Sequence, residues 1–415
     1  MISVIRYSVI LYLSAFCLLL PQTVLADFEQ PGTFKSASLL EPSLLKGKHH
    51  TVDNEVVNDG LFNHYTVTSS FGTFKANSTT RLKILINEIN AIAAMKEVES
   101  EDTALESLKQ SGQNTVTGLK NLFSKPQETL GGAADGVSSL FNRAKGTLGR
   151  REATGGEDSR VEQFIGLSKS KGEIATKFGV NMYSRNEVLQ EELDRLARAD
   201  YLGGLGVSVA TSFVPVGGLV LTTSGTARLL NEAINTTPAS ELWLRNKNKL
   251  LAMGMNEDAV ELFLNNPAFS PALETVLVAA LEEMEGVDNR ELFLMVVLQA
   301  SDPDMARTIT EIVVMSAGYH KHVAPLAKFA PMARLTCGIK KDGSYVVLLP
   351  ADHIIWNEKV AGVAGELTDK TNKGGGSATE IWVLGDFSKQ AKGELKKLGW
   401  QLHPKSYRKL VPEKK

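Results

Sequence analysis

Three imidazoles and a carboxylate, at His320, His322, Asp352 and His353, are the side chains of this sequence best suited to chemistry. Such a set can hold zinc or another divalent ion, or serve as general acid and base. The first two sit at the end of a helix. The second two follow a strand closed by Pro350, at a strand end of the kind where α/β domains place ligands. The spacing argues against a metal. Histidines two apart on a helix do not share a face, and no third element carries a recognised metal spacing. The competing expectation is that His320 and His322 bond the last helix carbonyls while Asp352 and His353 make turn hydrogen bonds.

Other chemistries are less well supplied. No G-x-S-x-G turn is present, and Ser111 and Ser224, each beside a glycine, lie without a paired histidine. Cys337, in the apolar run 335–339, reads as a small buried hydrophobe. His49 and His50 are adjacent, so their rings point apart, and they read as solvated. Trp356, Trp382 and Trp400 read as the core of one domain. No cofactor is implied beyond a divalent metal at the four-residue set.

The elements around that set change period near residue 331. Strand patterns over 334–339 and 344–349, joined by an Asp342-Gly343 turn, precede a helix over 358–368. A strand over 380–385, a helix over 388–398 capped by Ser388, and a strand over 400–403 complete a small α/β domain over 331–410. Upstream, 161–330 reads as a helical domain. Its helices open at Ser184 with Glu187, at Ser240, at Ser270-Pro271 and at Asp302-Pro303. Within it, 201–227 carries no charge, and Pro215 with several glycines favours a buried helical hairpin over a membrane span.

Near the start, 27–60 reads as a poorly ordered lead-in. Residues 61–111 read as a β-hairpin (62–76) followed by a helix from Ser78 or Thr79, with Leu82, Leu85, Ile86, Ile89 and Ile92 in one stripe. The 112–160 stretch contains a repeat, GLKNLFSKPQETLG and GVSSLFNRAKGTLG, offset by five helical turns. Its pairs Leu122-Phe123 and Leu140-Phe141 therefore share a face, opposite a basic one, as in a membrane-surface or partner-binding arm. A solvated linker is the plainer reading of the same pattern. The whole is expected to be α+β and mainly helical.

Residues 1–26 have the form of a signal peptide: Arg6, a short apolar stretch over 7–20, Pro21, and small side chains before Asp27. Its removal leaves Cys337 alone, so no internal disulfide is expected and the fold rests on packing. With 45 basic and 47 acidic residues the net charge is -2, which offers no field for nucleic acid.

At AGYHKHVAPLAKF, LPADHIIW and LGDFSKQAKGELKKLGW the sequence resembles a family of exported bacterial proteins of unknown function, over roughly the C-terminal half. HYTVTSSFGTFKANSTTRL shows a looser likeness. The resemblance implies export and this order of domains, and transfers no functional residue. The expectation is an exported periplasmic or secreted protein with a non-catalytic role at a protein partner or membrane surface. The alternative is a metal-dependent or hydrolytic enzyme using His320, His322, Asp352 and His353.

Overall fold

The structure, a computed structural model, describes residues 28–98, 155–203, 232–332, 335–373 and 378–411. The expected signal peptide, the repeat with Leu122, Phe123, Leu140 and Phe141, and 204–227 of the uncharged stretch lie outside the described residues. What is described is mixed α+β and mainly helical. Among the described residues no helix is long and apolar enough to cross a membrane.

The N-terminal unit is an antiparallel sheet under one long helix. It comprises β1 (Thr33–Lys35), α1 (Ser36–Leu39), α2 (Pro42–Leu45), β2 (His50–Val52), β3 (Glu55–Asn58), β4 (Asn63–Ser69), β5 (Gly72–Ala76) and α3 (Thr79–Glu97). The hairpin is β4 with β5, registered Tyr65 to Ala76 and Val67 to Phe74. Strands β3 and β2 also pair with β4, and β1 pairs with β3. Ser78 Oγ accepts the Arg81 N–H at 3.1 Å, so α3 starts where the cap residue predicts.

Two expectations are corrected in this unit. Residues 27–60 contribute three strands rather than a disordered lead-in. His50 is buried, not solvated, because it shares the inward face of β2 with Val52; its Nε2 lies 3.3 Å from the Leu44 carbonyl oxygen.

Helix α3 is buried on more than one face, Thr80, Asn87 and Glu88 among its buried residues beside the apolar ones. Leu82, Ile86 and Ile89 pack on Tyr65 and Val67 of the sheet. Further along, Ala91, Ile92 and Met95 join Phe178, Leu189 and Leu193 of the next helices. Each such side chain contributes about 1.5–3 kcal/mol when removed from water.

The central helices are α4 (Gly155–Lys177), α5 (Glu187–Gly203), α6 (Ala239–Ala252), α7 (Glu257–Leu264), α8 (Pro271–Glu282), α9 (Leu292–Val297) and α10 (Pro303–His322). Ser270 and Asp302 cap α8 and α10 through the Leu273 and Met305 N–H groups, each followed by proline at the first helical position. Helix α6 begins one residue before Ser240, after Pro238, with no side-chain cap. The cap of α5 is Asn186, not Ser184: Asn186 Oδ1 accepts the Leu189 N–H at 3.3 Å, and Ser184 turns its hydroxyl to Glu88 at 2.6 Å.

The C-terminal part contains β6 (Leu326–Met332), β7 (Leu335–Lys340), β8 (Tyr345–Leu349), β9 (His353–Ile354), α11 (Glu358–Lys373), β10 (Thr379–Val383), β11 (Asp386–Phe387), α12 (Lys389–Lys397), β12 (Trp400–His403) and α13 (Tyr407–Leu410). Its five-stranded sheet runs β12-β10-β8-β7-β6, with β8, β10 and β12 parallel and the rest antiparallel. One apolar cluster includes residues on both sides of the boundary expected at 330. Strand β6 begins before it, and Pro331 is tolerated because β6 is an edge strand.

Both faces of this sheet are covered. Val346, Leu348 and Trp382 meet Tyr319 of α10, while Val347, Ile381 and Val383 meet Leu367 of α11 and Leu395 of α12. That alternation explains why β10 is buried at every position. Trp356, Trp382 and Trp400 are all buried, and so is Cys337, whose thiol burial pushes up to about 12.

Candidate functional site

The C-terminal ends of β8 and β10 open toward the N-terminal unit, at the place where open α/β sheets bind ligands. Two loops, 350–357 and 384–388, leave these strands and pair briefly as β9 and β11. They approach so closely that a Cβ on Gly385 would lie 1.7 Å from the Asp352 carbonyl oxygen. Asp386 N–H donates to that same oxygen at 3.0 Å.

The N-terminal unit sits directly on this crevice. Leu61 O accepts the N–H groups of Asp352 (2.9 Å) and His353 (3.1 Å), and Gly60 O accepts that of Ile355 (3.1 Å). The turn presenting them is built locally. Asn58 Oδ1 accepts the Gly60 N–H, Asp59 Oδ1 accepts those of Leu61 and Phe62, and Gly60 adopts a φ of 111° that favours glycine.

Asp352 is the centre of the junction. Its carboxyl accepts the Asn63 N–H at 3.0 Å and the Thr79 N–H at 3.0 and 3.1 Å, so it caps the positive end of α3 from another part of the chain. Removal from water pushes it up to about 6 against these N–H groups, which pull the other way. Tyr65, its hydroxyl 2.7 Å from Thr79 Oγ1, is pushed up to about 12 by burial and by the nearby Asp352 charge.

A second polar layer lies between α3 and α10. Arg81 pairs with Glu88 at 3.3 Å, and Glu88 also accepts from Ser184 Oγ and, at 3.2 Å, from Asn186 Nδ2. Facing them on α10 are Arg307 and Glu311. Glu311 is 5 % exposed and is pushed by burial up to about 7, with Arg307 opposing and Asp352 reinforcing the shift. Arg307 is lowered, first by loss of water and then by Arg81.

The four residues singled out in the sequence do not come together as ligands. His320 Nδ1 accepts the Leu326 N–H at 3.0 Å, where the chain turns from α10 into β6; burial holds its pKa below the ordinary value, which suits an acceptor nitrogen. His322 is exposed in the last turn of α10. His353 lies edge-on to Phe34, with ring centroids 5.0 Å apart, and is likewise lowered by burial. Only Asp352 and His353 share the crevice. Among the described residues no group of three or more His, Cys, Asp or Glu is placed to hold a metal ion.

Sequence reasoning reached Asp352 but not its partners Asn63 and Thr79, nor the layer of Arg81, Glu88, Arg307 and Glu311. The one signal was available on the helices: Arg307 and Glu311, four apart, place two charges on a face whose neighbours are apolar. The fold defines a class, a mainly helical α+β protein in which a helical layer and a separate sheet unit both close on a mixed sheet. No protein-family model, no curated protein and no solved structure matches the chain.

Proposed function

We infer that this is an exported, non-catalytic protein of the cell envelope or the medium, which engages a protein partner or a membrane surface rather than transforming a substrate. The observation that supports it is the use made of the strand-end crevice. The chain's own turn at 58–63 covers it, and Asp352, the best acid in the sequence, is committed to two backbone N–H groups. A general acid or metal ligand needs an open position. The balanced charge favours no nucleic-acid partner. The amphipathic repeat with Leu122, Phe123, Leu140 and Phe141 is the segment assigned to the partner or membrane contact, and the signal-peptide pattern supplies the export.

The test is fractionation of the native host with a carbonate wash, followed by N-terminal sequencing and metal analysis of the recovered protein. A chain starting at Asp27 with no stoichiometric metal is expected, and deletion of 112–150 abolishes its vesicle or partner binding. A cytoplasmic chain, or stoichiometric metal that disappears in His353→Ala, overturns the reading.

A further inference from the structure

Near His353, the loops that leave β8 and β10 hold another carboxylate of the chain. Glu29 joins residues 354–357 through both its backbone and its side chain. Its N–H donates to the Trp356 carbonyl oxygen at 2.8 Å, and its Oε2 accepts the Trp356 N–H at 2.6 Å. The same Oε2 accepts the Ser388 hydroxyl proton. Ser388 is the cap of α12, its Oγ accepting the Ala391 N–H at 2.9 Å. Trp356 immediately precedes Asn357, the cap of α11, whose Oδ1 accepts the Val360 N–H at 2.8 Å.

One carboxylate oxygen therefore sits between the N-termini of the two helices that follow β8 and β10. Helix starts of this kind favour negative charge, and in open α/β sheets they lie where anionic ligands bind. The charged groups around the position are His353, Asp386 and Lys392, and Lys392 ion-pairs with Asp386 at 2.7 Å. Glu29 itself is only half-buried, so solvent reaches the position. The segment that carries it is held next at Gly32, whose carbonyl accepts the Asn58 N–H at 2.9 Å, and by the three-residue edge strand β1, which pairs with β3.

We propose that the ends of β8 and β10 form a binding site for a carboxylate on an extended peptide, which the chain fills with its own Glu29 as a tethered, autoinhibitory ligand. The hydrogen-bond pattern is that of peptide capture: backbone N–H to carbonyl, and side-chain carboxylate to a backbone N–H and a cap hydroxyl. The ligand class is an acidic peptide segment of a partner, which displaces residues 28–32. This goes beyond the interaction reading above and is tested separately from it, since neither export nor the repeat enters the argument.

The experiment uses the full exported chain and a fluorescent peptide of residues 28–32, FEQPG. Wild-type protein is expected to leave the peptide free, because Glu29 competes for the site at high effective concentration. Glu29→Ala is expected to bind it. A peptide with glutamine in place of the glutamate, or the further change Ser388→Ala in the protein, weakens binding at least about tenfold, the loss of one charge-assisted hydrogen bond. Glu29→Gln, which keeps the side-chain volume, is run alongside with a melting curve, so that a misfolded alanine variant is recognised and the glutamine variant read instead. Equal binding to wild type and folded variants, no binding to any of them, or equal binding of the glutamine peptide would overturn the proposal.

Discussion

The C-terminal sheet is held in two unlike ways, across its face and at its strand ends. Across the face turned to α10 the contact is mainly apolar, with one polar insertion, Glu380, which accepts from Tyr319 Oη at 3.2 Å and Trp382 Nε1 at 3.0 Å. Trp382 lies edge-on to Tyr319 at 5.4 Å and Phe293 edge-on to Phe329 at 4.8 Å, with Leu348 and Val346 filling the space between helices and sheet. At the ends of β8 and β10 the contact to the N-terminal unit is made largely of hydrogen bonds through Asn58, Gly60, Leu61 and Asp352, with Phe28 and Leu61 packed beside them. Water can replace the second set on separation and cannot replace the first, so net losses differ severalfold. Helices and sheet share an apolar core, whereas at the strand ends the N-terminal unit meets the sheet through bonds that water can replace, its apolar hold being the separate contact of α3 with α4 and α5.

The largest effect is expected at the mainly apolar face. Phe329→Ala removes a fully buried ring and is expected to cost about 3–5 kcal/mol in a denaturant melt. A loss under about 1 kcal/mol would mean that the face is not where the stability lies. At the strand ends, Gly385→Ala forces a methyl against the Asp352 carbonyl, with an expected cost of about 1–3 kcal/mol. Limited proteolysis should then cut within 28–62 before it cuts the sheet; simultaneous cutting would deny that the junction is separable.

Asp352→Ala leaves the Asn63 and Thr79 N–H groups without their acceptor and should cost about 1–3 kcal/mol. The last effect concerns the helical layer, where Glu274 acts on Tyr183. This α8 carboxyl is 5 % exposed, and burial alone pushes it from 4.5 up to about 8. A folded-state value above the unfolded one means that the native chain holds the proton longer, so the group's contribution is fully present at low pH and is lost as pH rises toward 8. Glu274→Gln should therefore melt higher than wild type at about pH 9, by on the order of 1 kcal/mol or more, and about equally with it near pH 5. A constant difference at both would show that the carboxyl is not buried as described.

Much of the C-terminal α/β unit was legible because strong local signals coincide there. Asp342-Gly343 makes the hairpin turn with Gly343 at φ 82°, and Ser388 with Gly399 brackets α12. Strand β6 was not, since Pro325 and Pro331 break its pattern and only its edge position makes the second tolerable. Residues 27–60 misled for another reason. Strands of three or four residues are too short for alternation to stand out, although Val52 and Val56 do face inward. The four-residue site failed at the level of tertiary placement: His320 is used locally by Leu326, and no spacing rule predicts that Asp352 would cap a helix 273 residues earlier in the chain.

The most direct test of a separable polar junction is residue-resolved hydrogen exchange in wild type and Asp352→Ala. The account predicts that the amides of Asn63, Thr79, His353 and Ile355 lose protection together, while those of Ile381 and Val383 in β10 keep theirs. Loss confined to Asn63 and Thr79, or an equal loss in β10, would contradict it: the junction would then be either a set of independent bonds or inseparable from the core.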